Sequence, residues 1–166
     1  MVYVLVCSAL FGPVTATSQV CVPDSYSFNS AGDYSLHRPS VLKCMKWLIK
    51  KPLHRKTELR SEVEAYCMEW LCGHPQLKAV LESSQVPYLD RNPQLLYVYL
   101  SKWTLLTLEN PDMAGLERHL QSTRTVLKLA SKSKGLAEDE TLINLIRKWR
   151  RGDLAEWAEQ TWKAGP

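Results

Sequence analysis

The sequence has little of what most enzymes and strand-built proteins need. Glycine is scarce, at seven in 166 residues, and every glycine stands alone. No glycine-rich loop is available to cradle a phosphate, and P-loop, GxGxxG, GxSxG and HExxH patterns are all absent. Scarce glycine also argues for helices joined by short loops over a strand-and-turn protein. There is no Asn-x-Ser/Thr glycosylation acceptor, no low-complexity tract, no fixed-period repeat and no clear boundary for a second domain. Neither charge sign dominates. Lys and Arg number 21 against 17 Asp and Glu, a net charge of +4, which is short of the basicity that alone marks a nucleic-acid binder. The apolar run at the N-terminus, Val2 to Phe11, is too short to cross a bilayer, so no transmembrane segment is expected.

What remains is an ordinary globular composition, 45% hydrophobic and 23% charged. The length suits one domain with a real core. Six tryptophans and seven tyrosines supply large side chains for it.

The N-terminus admits three readings: a signal peptide, a strand pair, or an anchor lying on a membrane surface. Residues 1–18 resemble a signal peptide. The apolar run is broken by Gly12-Pro13, and Ala16 and Ser18 stand where small residues precede cleavage, although no Lys or Arg leads the run. Alternatively, Val2–Cys7 and Val14–Val22 form a strand pair. Cleavage would remove Cys7 and leave Cys21, Cys44, Cys67 and Cys72, an even set suited to a secreted chain. The expected pairing joins Cys44 to Cys67 or Cys72 across two helices, with Cys21 taking the other. If the chain stays in the cytoplasm, all are free thiols.

Residues 19–38 read as a polar, non-helical lead-in, which Tyr26, Phe28 and Tyr34 would pin to the body. An all-α domain of six or seven helices is expected over residues 39–166. Its centre is Asn92 to Glu109, apolar on every side and therefore buried. Asn92 is expected as N-cap and Pro93 as first helical residue; Ser101 and Lys102 mark where this helix reaches water. Around it, helices are expected at Pro39–Lys50, Thr57–Cys72, His74–Ser84, Asp112–Ser131, Ala137–Arg151 and from Asp153 onward. Thr57, Asp112 and Asp153 would serve as caps. The narrow seam Met113, Leu116, Leu120, Thr123, Leu127 and Ala130 should pack antiparallel on the central helix, whose other sides the stripes led by Leu59 and Leu142 would cover.

Candidate chemistry is thin. Cys44, Cys67, Cys72 and His74 lack zinc-site spacing, because positions five apart on a helix diverge by about 140°. No cofactor is expected, and no local Cys–His pair supports catalysis. Arg151-Gly152-Asp153 spells an integrin-type tripeptide, yet each residue already has a helix-boundary role. Two basic runs offer a face for an anionic partner: Lys43, Lys46, Lys50, Lys51, Arg55 and Lys56, and Arg147, Lys148, Arg150 and Arg151. Trp157 and Trp162, on a short terminal helix, would form a partner patch if that helix swings free. The leading expectation is a secreted, disulfide-stapled, non-enzymatic domain that binds another protein. The alternatives are an intracellular adaptor with free cysteines and a nucleic-acid-binding module.

Overall fold

A computed structural model describes residues 21–77 and 81–163, and the expected signal peptide or strand pair falls outside them. Among the described residues the fold is all-α, with six helices and two short 3-10 turns, Ser83–Gln85 and Pro87–Leu89. The helices are α1 (Ala31–Leu48), α2 (Thr57–Gly73), α3 (Leu95–Glu109), α4 (Gly115–Ala130), α5 (Glu140–Arg151) and α6 (Leu154–Lys163).

Helix α3 is the post at the centre. From Leu95 to Leu108 no residue is fully exposed. It packs most extensively on α4, across the short connection 110–114, and next on α1, with α2 touching it less. The antiparallel seam is as expected but wider: His119, Ser122, Val126 and Leu129 are buried beside Leu120, Thr123, Leu127 and Ala130. Helix α5 does not cover α3; it packs on α4, α6 and the Pro87–Leu89 turn. Ser101 is buried too, so Lys102 alone of the expected pair reaches water.

Several boundaries differ from the sequence expectation, each for a local reason. Helix α1 begins at Ala31 and runs through Pro39. Ser30 and Asp33 form a reciprocal cap: Asp33 N donates to Ser30 Oγ, and Ser30 N donates to the Asp33 carboxylate at 2.8 Å. That cap replaces the expected lead-in over residues 31–38. A proline inside a helix removes one N–H and costs about 3 kcal/mol. Tertiary contacts offset this. Trp70 Nε1 donates to the Tyr34 carbonyl, next to the carbonyl of Ser35 that Pro39 cannot serve. Tyr26 and Phe28 pack onto Tyr66, with ring centroids 4.7 and 5.8 Å away, so the lead-in is pinned by aromatics as its sequence implied.

The expected helix at His74–Ser84 is absent among the described residues; turns take its place, although Leu77 and Leu81 still pack on the core. Three expected caps are not caps. Thr57 is the first helical residue of α2, and Lys56, at φ 53°, precedes it in the left-handed region with no side-chain bond. Asp112 lies outside α4, whose N-cap is Ala114. Asn92 is fully buried, and its amide pairs with Ala137: Ala137 N donates to Oδ1 at 2.8 Å and Nδ2 donates to Ala137 O at 3.3 Å. The cap of α5 is Asp139, which accepts from Thr141 N and Leu142 N, while Gly152, at φ 91°, ends that helix as expected.

The disulfide corrects the expected pairing. Cys21 bonds Cys44, with Cα atoms 5.3 Å apart. Cys67 is a buried free thiol and Cys72 an exposed one. Cys67 faces the α1 backbone, near the Val41 carbonyl, and not the Cys44 sulfur. The bond closes a loop with a sequence separation of 23. Removing it by Cys21→Ser is therefore expected to lower stability by roughly 2–4 kcal/mol. A thermal melt of that variant, compared with the oxidised and reduced parent, measures this; a melt matching the oxidised parent would mean that the lead-in aromatics anchor the segment unaided.

Candidate functional site: a four-lysine groove

The fold brings together cations that the sequence keeps far apart. An open groove of about 380 Å³ is lined by Lys50, Lys102, Lys128 and Lys132, with Ile49, Leu129 and Thr125 between them. Each lysine arrives for a local reason. Lys50 follows the end of α1. Lys102 is the polar break in α3, half-buried where α1 and α4 leave a gap. Lys128 is in the last turn of α4 and Lys132 just after it, where cations suit the helix dipole. The linker 51–56 is fastened alongside. Leu53 N donates to Ser133 Oγ at 3.0 Å, and Lys134 N donates to His54 Nδ1 at 3.0 Å.

None of the four lysines has a carboxylate within salt-bridge distance among the described residues. Two negative helix ends, each equivalent to about half a charge, offset four positive ones only in part. Like charges four apart, as at Lys128 and Lys132, repel by a few tenths of a kcal/mol. The groove keeps a net positive potential over an apolar floor.

Of the ten predicted basic residues, only Lys50 lines this groove. Lys46 is held by Glu109 at 3.0 Å. Lys43, Lys51, Arg55 and Lys56 are exposed beside it on α1 and the linker. Arg147 donates to Asn144 Oδ1 at 3.0 Å, Lys148 is half-buried, and Arg150 is exposed. Because α5 touches neither α1 nor α2, the second basic run lies on a separate element. Arg151 pairs with Asp153 at 3.1 Å, so the cation and carboxylate of the tripeptide face each other. Sequence reading missed Lys102, Lys128 and Lys132 because it followed runs along the chain. The available signal was a lysine inside an otherwise apolar helix.

Trp157 and Trp162 are docked, not free. Both rings lie 5.7 Å from His119, and Trp162 is 6.3 Å from Trp103. Gly115 permits this approach, since a Cβ there would sit 2.6 Å from Trp162 Cζ2. Both tryptophans are half-buried, so the expected partner patch is mostly spent on holding α6 against α4. His119 at its centre is fully buried, bonded through Nδ1 to the Tyr99 hydroxyl at 2.9 Å, with Nε2 unpartnered. Burial holds its pKa down at about 4.

A second buried polar centre lies between α1 and α2. Arg60 Nη2 donates to Leu48 O at 3.1 Å and to Lys51 O at 2.7 Å, and Nη1 meets Glu64 Oε1 at 3.4 Å. The guanidinium also lies 5.7 Å from the Trp47 ring. Burial pushes the Glu64 carboxyl up to about 7, with Arg60 pulling the other way. Nearby, burial raises the Cys67 thiol to about 12, which keeps it protonated and unreactive at neutral pH. No known protein family, curated protein or solved structure matches this chain.

Proposed function

We propose that this chain is a non-enzymatic binding domain, disulfide-stapled and secreted, whose four-lysine groove takes an acidic segment of another protein. The observation that supports it is the convergence of Lys50, Lys102, Lys128 and Lys132 without a carboxylate partner among the described residues. Carboxylates on an extended segment would meet the ammonium groups, and aliphatic stems would lie on Ile49 and Leu129. The groove offers lysines alone, with neither an aromatic ring nor a guanidinium among its lining residues. Nucleic-acid grooves combine charge with stacking platforms, and that favours carboxylates here. The Cys21–Cys44 bond suits an oxidising compartment. No helix among the described residues is long and apolar enough to cross a membrane.

The test is fluorescence anisotropy with a labelled Glu/Asp-rich peptide, a neutral peptide of equal length and a single-stranded oligonucleotide. The acidic peptide is expected to bind at low ionic strength and to weaken as salt rises. The K102E/K128E variant is expected to lose affinity by about tenfold or more. Equal binding by this variant, or stronger groove-dependent binding of the oligonucleotide, overturns the reading.

A further inference from the structure

The groove has a complement elsewhere on the same molecule. Glu109, Asp112 and Glu117 are exposed around the turn from α3 to α4, with Asn110 and Pro111 at its tip. The turn also borders a shallow depression of about 620 Å³. Arg118 donates to the Pro111 and Met113 carbonyls of the same turn and offsets one of these charges, but the turn keeps the sign opposite to that of the groove, and its carboxylates match the ligand chemistry inferred above. Glu109 is already shared with Lys46, whereas Asp112 and Glu117 have no cation within salt-bridge distance among the described residues.

Geometry keeps the two apart within one molecule. Glu117 is in the first turn of α4 and Lys128 in its last. Eleven residues of helix separate them by roughly 16 Å along the axis. The turn and the C-terminal half of the groove therefore sit towards opposite ends of the α4 rod, and although Lys102 stands only about 10 Å of helix rise from Glu109 on α3, none of the groove lysines forms an ion pair with the turn within one molecule. They can do so between molecules.

We propose that, when no other protein's acidic segment fills it, the groove takes the α3–α4 turn of a second copy of this chain. The proposal rests on the reading of the groove as an acidic-segment site. Because turn and groove are different surfaces, the contact is head-to-tail. Each added copy leaves one free groove and one free turn, and assembly continues unless the rotation closes a ring. An acidic segment from another protein would compete for the same lysines and dissolve the assembly.

The test is sedimentation velocity on the full chain carrying Cys72→Ser, which removes the exposed thiol as a source of intermolecular disulfides. At low ionic strength the weight-average mass is expected to rise with concentration past that of a dimer, and to return to monomer in roughly 0.5 M salt. K102E/K128E removes the groove, and D112K/E117K reverses the turn. Each variant alone is expected to lose the concentration dependence. Mixed together, one supplies an intact turn and the other an intact groove, so the mixture is expected to give a one-to-one complex that grows no further. A parent chain that stays monomeric at every concentration overturns the proposal, and so does a mixture that fails to pair. If that monomer still binds the acidic peptide, the reading of the groove survives; if it binds no acidic peptide either, both fall.

Discussion

Arg60→Ala is expected to destabilise the domain by about 3–5 kcal/mol, the cost typical of breaking a buried ion pair from one side. The single guanidinium serves the last carbonyl of α1, that of Leu48, the carbonyl of Lys51 in the linker that follows, and the carboxylate of Glu64. It acts as a C-cap delivered by another helix, since the last carbonyls of a helix have no internal donor. Truncation leaves both carbonyls without that donor and Glu64 as an uncompensated buried charge. Glu64 can partly escape by taking up a proton, because its carboxyl already titrates near 7. The loss is therefore expected to be larger at alkaline than at mildly acidic pH. Adding Glu64→Leu to Arg60→Met removes the stranded charge and should recover roughly half the loss. Chemical denaturation of the two variants at both pH values provides the measurement. An Arg60→Ala loss below about 1 kcal/mol would place the pair among ordinary surface interactions.

The second large effect is a pair of opposing pH slopes. His119 titrates near 4 in the fold, against 6.5 for an ordinary histidine, and desolvation is the cause. Below about pH 6.5 the unfolded chain takes up a proton that the folded chain refuses. Stability is lost progressively from there down to about pH 4, by roughly 3 kcal/mol in all. Glu64 has the reverse sign. Its folded pKa is raised from 4.5 to about 7, so its contribution is fully present below 4.5 and is lost as pH rises through 7. Across the shared window the two trends oppose each other. Replacing His119 with Phe keeps an aromatic ring between Trp157 and Trp162 and removes the titration. Relative to the parent, this variant should gain stability as pH falls, whereas Glu64→Gln should lose it. Denaturation midpoints from about pH 4 to about pH 8 resolve both difference curves. A His119→Phe variant whose profile tracks the parent would mean that the ring reaches water before the domain unfolds.

These two centres were the least legible parts of the sequence. Nothing in the spacing around Arg60 or His119 distinguishes either from an ordinary surface residue. Only tertiary packing turns the first into a cap and encloses the second in indole rings. Periodicity was a better guide where one face meets one neighbour. The apolar post at α3, the seam of α4 and the glycine stop of α5 all follow from local pattern. Local pattern misled where two rules competed at one place. A proline suits the first turn of a helix, which points to Pro39 as the start of α1, but the Ser30–Asp33 cap starts it two turns earlier and the aromatic lead-in packs against the helix ahead of the proline. The Cys21–Cys44 bond is not legible in the sequence, because helix spacing says which face a cysteine occupies, not which segment lies across from it. The groove suffers the same limit: its lysines come from α3, α4 and the turns that follow α1 and α4, and nothing in their sequence separation announces that they meet.

The amide of Asn92 has a consequence in time as well as in space. It pairs with both polar groups of Ala137, 45 residues away, much as a neighbouring strand would. Inside that span lies the α3–α4 hairpin, whose contacts are short-range and close cheaply. The hairpin is therefore the expected nucleus, and the longer-range Asn92–Ala137 rung is expected to form after it. An interaction made after the transition state does little to hasten folding but raises the barrier to leaving the native state. On that order Asn92 is expected to act as a latch: Asn92→Ala should speed unfolding in stopped-flow denaturation more than it slows refolding.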